Sequence, residues 1–364
     1  MKTLSRFVSI GAALLVLGCA ADEANAPTSA RSPTNASGDG ADRLVVMNQN
    51  FYVGANVDAI IAALATGDQQ KVLTVLLQQV QVLQQTDVAS RAGALADAIG
   101  KTRPHVVGLQ EVSIINIDLT WAGIPVVFNA DFLPEIMQAL QDRGLPYEVA
   151  GSILNIDAQP VPGVRLRDFD VMLYDTERAI PGTPVIQKLF DYNLGDPGIG
   201  VALNRGWVSR PFTVNGEVYQ VASTHLEDDL GTNEFSQLRL AQMAEIVLTI
   251  AGAERAVIMG DLNDPEGSAM YQLATQYGYA DLWLTLRPGT TGFTCCHETD
   301  LSNPRPHMDQ RIDFIFARGF EGPPGRPMGQ IDRVNYNPSD KVSGPFYPLW
   351  TSDHAGLVGT LLMP

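Results

Sequence analysis

The chain has 364 residues, 45% of them hydrophobic and 18% charged, with 24 Lys and Arg against 40 Asp and Glu for a formal net charge of -16. That length holds one large α/β domain or two small ones, and no internal stretch approaches the roughly 18 apolar residues that a membrane-spanning helix requires. Without a run of Lys or Arg, the chain lacks the positive surface that sequence-independent binding to a polyanion draws on, so long duplex DNA is disfavoured as a partner, though not excluded.

The beginning, MKTLSRFVSIGAALLVLGCA, pairs a basic start at Lys2 and Arg6 with an apolar run and small residues, the pattern of a secretory signal. Residues 1–19 are expected to be that signal. Val16, Leu17, Gly18 and Cys19 resemble a bacterial lipobox, which makes Cys19 the lipidation site and the bacterial membrane a partner through the lipid anchor. The plainer reading is a signal peptide without lipid and a secreted chain. Residues 20–42, rich in Ala, Ser, Thr, Asn, Gly and Pro, cannot bury a core and read as a tether. Residues 43–364 are expected to form the folded domain.

From Leu44 the pattern is strand, helices, strand, then a succession of strands. LVVMNQ is apolar and β-prone, and residues 57–100 carry apolar positions three and four apart, as in KVLTVLLQQVQVLQQ. Pro104 stops the last of these helices before a second buried strand, VVGLQEV. The segment FLPEIMQALQDRG is helical, residues 163–225 are strand-rich, and Asn215-Gly216 in TVNGEVY marks a hairpin turn. NEFSQLRLAQMAEIVLTIAG is a further amphipathic helix, followed by the strands AVIMG, RIDFIFA and HAGLVGTLL. Strands alternating with helices, plus hairpins, predict an α/β sandwich of mixed sheets.

Polar residues fall at the edges of these strands. Asn50 ends the first, Glu111 ends VVGLQE, His225 ends VASTH, and Asp261 and Asn263 follow VIMG. Asp313 sits in RIDFIF, and Asp353 with His354 precedes the last strand. Loops at strand ends are a common way for a rigid sheet to converge functional groups. Carboxylates, amides and imidazoles suit a hard divalent cation and a phosphate. Asp261 and Asn263, one residue apart, point the same way if the chain stays extended and then hold a water together. A histidine paired with a carboxylate such as Asp313 serves phosphoryl oxygens, and the sum is metal-assisted attack of water on phosphorus. Taken singly, Glu111 reads as a solvated rim acid and His225 or His354 as structural. DLND fails as a calcium loop, because Pro265 and Glu266 occupy the places of an oxygen ligand and a glycine.

The ordered set MNQNFYVGAN, VVGLQEV, STHLE, MGDLND, RIDFIF and SDHAGLVG resembles the endonuclease/exonuclease/phosphatase superfamily over about residues 44 to 361. That family includes secreted deoxyribonucleases, apurinic-site nucleases, neutral sphingomyelinases and inositol polyphosphate phosphatases. The resemblance implies a four-layered α/β sandwich with two packed mixed β-sheets flanked by helices, and a requirement for Mg²⁺, with Mn²⁺ or Ca²⁺ as alternatives. It implies Glu111 as principal metal ligand, Asn50 beside it and Asp353 joining the metal site. Asp261 and Asn263 match the pair that orients water and binds phosphate, His225 the histidine that contacts phosphate, and His354 the C-terminal catalytic histidine with Asp313 as its carboxylate partner. The chain departs from the family at Gln49, where Trp is frequent, and at His105, where Asp is frequent; both lie outside the inferred chemistry. A Tyr or Arg near the phosphate, between the Glu and the first His, is matched by Arg165, Arg167 or Tyr174 without a choice among them.

TCCHETD places Cys295 and Cys296 side by side, with His297 and later His307. A vicinal disulfide, a zinc site and unpaired thiols are the three readings, and adjacency disfavours zinc. The segments 113–130 and 192–205, read as loops, carry Trp121, Phe128 and Tyr192, with Trp207 nearby, and are expected to shape substrate entry or simply to pack. The expected function is an exported, lipid-anchored phosphoesterase acting on a phosphodiester, whether nucleic acid, sphingomyelin or other phospholipid, or a small phosphoester. A catalytically idle surface-binding lipoprotein on the same scaffold is the alternative, and the simultaneous presence of Asn50, Glu111, His225, Asp261, Asn263, Asp313 and His354 speaks against it.

Overall fold

The structure, a computed structural model, describes residues 43–228, 235–322 and 326–363, all within the compact unit Ala41–Pro364. The expected signal peptide, Cys19 and the tether lie outside the described residues. The chain opens with β1 (Arg43–Asn50) and passes through α1 (Val57–Leu64), α2 (Gln69–Gln85) and α3 (Val88–Thr102) into β2 (Val106–Gln110). A hairpin of β3 (Ile114–Asp118) and β4 (Val127–Asp131) leads to α4 (Phe132–Asp142) and two long strands, β5 (Tyr147–Val161) and β6 (Val164–Asp175). The short β7 (Ile180–Pro181) and β8 (Ile186–Leu189) precede the hairpin β9 (Gly206–Val214) and β10 (Glu217–His225), then α5 (Ser236–Thr249) and β11 (Ala256–Asp261). Next come α6 (Ala269–Gln276), β12 (Ala280–Asp281), α7 (Leu282–Leu286), β13 (Asp313–Arg318), β14 (Glu321–Gly322) and β15 (Arg326–Val334). A small hairpin of β16 (Val342–Ser343) and β17 (Pro348–Leu349) and the last strand, β18 (Gly356–Leu362), complete the fold.

One mixed sheet runs β14-β15-β18-β1-β2-β6-β3-β4 with β5 beside β6, and the other runs β12-β13-β11-β10-β9-β7 with β8 beside β9. Side chains alternate across each strand, which decides the layers. In β1, Val46 faces the other sheet together with Val221 and Met259, whereas Met47 packs under the helices with Leu95 and Ile99. In β11, Val257 and Met259 face inward, and Ile258 packs against Met243 and Ile246 of α5. Both faces are therefore buried, which is why these strands read as continuous apolar runs. The result is the expected four-layered sandwich. Gly108 permits the sheets to meet closely behind the site, since a Cβ there would run into the Ser223 hydroxyl of the facing sheet. Among the described residues no helix is long and apolar enough to cross a membrane.

Asn215 and Gly216 take positive φ of 52° and 87° at the predicted hairpin turn. The segment 113–130 is not a loop: it holds the β3–β4 hairpin, with Ile115 and Ile117 buried and Asn116 between them turned outward. The alternation there spans only five residues and is masked by Asn and Asp. Trp207 belongs to β9 and is core, while Trp121 and Tyr192 are exposed.

His105, at a family departure, fastens β2 to β1: its Nδ1 accepts from Val45 N at 2.9 Å. Burial, with Arg178 nearby, pulls the ring down to about 4. Because the folded ring resists protonation that the unfolded ring accepts, its contribution is full above about pH 6.5 and is lost as pH falls toward 4. Urea unfolding at pH 7.5 and 4.5 should show wild type losing about 2 to 3 kcal/mol more than His105→Asn, which keeps an acceptor and does not titrate.

Candidate active site

Register brings the expected residues to one edge of the sandwich. β10 and β11 are parallel with His225 beside Asp261, and β13 runs antiparallel to β11 with Asp313 opposite Asp261. In the facing sheet Asn50 lies beside Gln110, and Glu111 follows directly. β18 runs antiparallel to β1, so Asp353 and His354 reach this same edge just before their strand starts. Asp313 opens β13, since an antiparallel strand begins where its neighbour finishes.

Asn50 spans the two sheets. Its Nδ2 donates to Glu111 Oε1 at 2.9 Å and to Asp261 Oδ2 at 3.0 Å, and its Oδ1 accepts from Tyr52 N at 2.9 Å. Glu111 takes a left-handed φ of 59°, and its Oε2 accepts from Val53 N at 2.7 Å. A bulky side chain in that region is uncommon and marks an imposed turn, here one that brings the carboxylate back to Asn50.

The two histidines carry opposite charge states. Burial, with Arg205 and His354 adding, holds His225 well below the ordinary imidazole value, so its ring is neutral. Arg205 Nη1 lies 3.1 Å from His225 Nδ1. A guanidinium only donates and Asn263 Nδ2, 3.0 Å from Nε2, is also a donor, so both ring nitrogens face donors, with Nε2 3.6 Å from Asp261 Oδ2. For His354 burial opposes the charge, yet Asp313, Asp261 and Asp353 outweigh it and hold the ring well above its usual value. His354 Nδ1 is 2.8 Å from Asp313 Oδ2, and its Nε2 is 3.8 Å from Asp261 Oδ2. Asp261 itself is pushed up to about 7 by burial, with His354 pulling it down and Asp313 pushing it up.

Asn263 corrects the premise of an extended chain. Its φ is 50°, its backbone N–H donates to Asp261 Oδ1 at 3.1 Å, and its Nδ2 donates to Leu226 O at 3.0 Å. A tight turn, not strand alternation, is what places both side chains at the cleft. Asp264 is buried against Arg239 at 3.1 Å and stands apart from the site.

Three positioning residues escaped the sequence reading. Arg205 lies in the same strand-rich stretch as Arg165, Arg167 and Tyr174; Arg165 pairs with exposed Asp157, and the Tyr174 hydroxyl donates to Glu148. Arg205 precedes β9 directly and, besides His225, approaches Glu227 at 3.4 Å. Arg91 is buried on α3 and donates to the carbonyls of Phe51, of Tyr52 at 3.2 Å and of Thr351 at 3.3 Å, tying the segments after β1 and before β18 together. Gln49 donates to the carbonyls of Asn50 at 2.7 Å and His354 at 3.0 Å, so the departure from the family pattern is a brace between them. No local pattern marks such residues, because their partners lie far along the chain.

Glu111, Arg205, His225, Asp261, Asn263, Asp353 and His354 line a cleft of ≈ 870 Å³. Cys295 and Cys296 are joined by a disulfide at its wall, the first of the three readings, with Cys296 Sγ 3.9 Å from His354 Nε2. His297 stacks on Trp350 instead of joining a zinc site with them. Asp261, Asp313 and His354 each place a ligand atom within 4.8 Å of the others. Burial and Glu111 raise Asp353 to about 7, against the pull of His354. Such an excess of crowded carboxylate oxygen fits a hard divalent cation.

The model of the Endonuclease/Exonuclease/phosphatase family matches residues 80–354, and the chain belongs to that family. An endonuclease/exonuclease/phosphatase from Beutenbergia cavernae DSM 12333 is similar in structure at 18% identity and TM-score 0.57, over 88% of this chain and 72% of that one. D. rerio TDP2 complexed with single strand DNA product is similar at 17% identity and TM-score 0.52, over 88% and 99%. The human Nocturnin catalytic domain with bound sulfate anion is similar at 14% identity and TM-score 0.50, over 88% and 94%. At these identities the likeness is one of fold. No curated protein matches the sequence.

If Asp313 holds the charge on His354, Asp313→Asn should lower the His354 pKa by about 1 to 3 units in imidazole NMR titrations. An unchanged titration would remove Asp313 from that role.

Proposed function

We propose that the chain is a hydrolase that cleaves a phosphodiester by attack of water on phosphorus. The observation that carries this reading is the placement of a neutral and a cationic histidine on one carboxylate oxygen, with His225 Nε2 at 3.6 Å and His354 Nε2 at 3.8 Å from Asp261 Oδ2. Groups whose surroundings push their pKa values apart divide the acid and base roles between them. Asp261, raised toward neutrality, accepts a proton from a water that the Asn263 amide helps to orient. His225, held neutral by burial with Arg205 beside it, contacts a phosphoryl oxygen. His354, kept charged by Asp313, balances the negative charge that develops there and protonates the leaving oxygen. A divalent cation held by Glu111, Asp353 and Asn50, Mg²⁺ with Mn²⁺ or Ca²⁺ as alternatives, supplies Lewis-acid polarisation of the phosphoryl group when bound.

The cleft wall bears on the substrate. Asp58, Asp168, Glu227, Asp228, Glu266 and Asp309 line it, against the cations Arg205 and Arg311. Repulsion of that sign favours a small or lipid phosphodiester over a long duplex. With bis-p-nitrophenyl phosphate, plasmid DNA and sphingomyelin as substrates, turnover is expected on at least one, abolished by chelator and lowered at least about 100-fold by Glu111→Ala. Turnover that is absent throughout, or indifferent to both changes, would reject the hydrolase reading and leave the idle scaffold.

We also infer export with a lipid on Cys19, from the basic, apolar and small-residue order that ends in Leu17-Gly18-Cys19. Expressed in a bacterium, the full chain should sediment with membranes and Cys19→Ser should not; equal partition of the two would reject the anchor.

A further inference from the structure

We propose that the chain holds a second cation, Ca²⁺, in a closed oxygen cage made by Asp168, Asp170, Asn155 and Gln110 beside the catalytic cleft. This does not rest on the hydrolase reading, since none of these residues is assigned a step of that chemistry, although Asp168 also borders the cleft.

Three strands build the cage. In β6, Val171 and Leu173 pack under the helices and Met172 packs between the sheets, so Asp168 and Asp170 share the inter-sheet face with Met172. The β2–β6 ladder pairs Gly108 with Met172 and Leu109 with Val171, and Gln110 and Asp170 are the next residues beyond its last pair. In β5 the register slips between Leu154, opposite Phe169, and Ile156, opposite Asp168. Asn155 is the extra residue of that bulge. A bulge re-aims a side chain, and here it turns an amide inward to 2% exposure in a strand whose neighbouring Leu154 is exposed.

The polar atoms that meet there have no common partner. Both Asp170 oxygens, both amide atoms of Asn155 and Gln110 Oε1 are buried without a hydrogen bond among the described residues. The Asn155 amide borders both carboxylates nonetheless. Gln110 is held by its other end, where Nε2 donates to Asn48 Oδ1 at 3.0 Å and to Ser223 Oγ at 3.3 Å, so which atom is the oxygen is settled. Asp168 Oδ1 accepts from Ser113 Oγ at 2.7 Å, which steadies the carboxylate. Arg205 is near enough to feel both acids, but it is engaged with Glu227 and His225.

Counting acceptors decides between the ways such a cluster is made tolerable. A proton shared by the two acids satisfies one oxygen of each, and it leaves the Asn155 and Gln110 oxygens as they are. A cation satisfies the oxygens of all four side chains together, and Asn155 Nδ2 is left to donate to the adjoining carboxylates. Two carboxylates call for a divalent ion, and the cage is closed by side chains, so an ion that keeps several waters fits it poorly. Mg²⁺ is of that kind, whereas Ca²⁺ accepts carboxylate and amide oxygens in flexible geometry. Burial, which pushes Asp168 up to about 7 and Asp170 well above its usual value, is the same electrostatic demand seen from the protein side.

The test uses the full chain carrying Glu111→Gln, so that the catalytic ion does not confuse the count. After treatment with chelator, it is dialysed against about 1 mM CaCl₂ and its bound calcium measured by atomic absorption, alongside the same chain with Asp170→Asn or Asn155→Leu added. The parent should retain about one Ca²⁺ per chain and melt several degrees higher in Ca²⁺ than in chelator, and both additions should lose the ion and the shift. Asn155→Leu leaves both acids in place and decides the matter should Asp170→Asn fail to fold. A parent that binds no Ca²⁺, or added substitutions that bind as much as the parent, would overturn the cage.

Discussion

The site depends on one amide that joins two sheets. Asn50 gives one hydrogen to Glu111 on its own sheet and the other to Asp261 on the facing sheet, so two carboxylates that would repel are held at a set separation by a neutral donor. Each of those acids is anchored a second time by backbone, Glu111 by Val53 N–H and Asp261 by Asn263 N–H. The sandwich thereby presents a rigid acidic floor, and rigidity matters because donors set in advance need no rearrangement when charge develops on a substrate.

Around that floor, burial does the electrostatic work that composition alone does not reveal. Burial, with Arg205 adding, holds His225 neutral, whereas three carboxylates hold His354 charged against the same burial. Desolvation acts on both rings in one direction, and the neighbours reverse it for only one of them. Arg91 adds a buried cation that also carries the backbone carbonyls of the segments flanking the cleft. A lysine there would lose the planar fork that reaches several carbonyls at once.

The inter-sheet space shows the same logic carried further from the cleft. Polar groups on an inner sheet face are costly unless they are satisfied, and most of that face is apolar. Where Asp168, Asp170, Asn155 and Gln110 interrupt it, a β-bulge has been spent on aiming one of them inward. Bulges of this kind behave as built features, not defects.

Much of this was legible before folding was considered. Continuous apolar runs marked the core strands, the spacing of three and four marked the helices, and Asn215-Gly216 marked its turn, since each is a local consequence of backbone geometry. The polar residues at strand edges were legible too, because an acid or imidazole that follows an apolar run stands out in sequence. The β3–β4 hairpin was not, since five residues of alternation broken by Asn and Asp look like loop. Arg205 and Arg91 stayed hidden for a different reason: each acts on partners from other segments of the chain, so nothing in its neighbourhood of sequence distinguishes it, and Gln49 stood out only as a departure whose brace to His354 the sequence does not show. The sequence by itself determined the layers and the chemical types at the edge. Only the tertiary structure decided which strand runs antiparallel, and so which acid faces which histidine, because register and direction are settled by pairing between segments far apart in the chain.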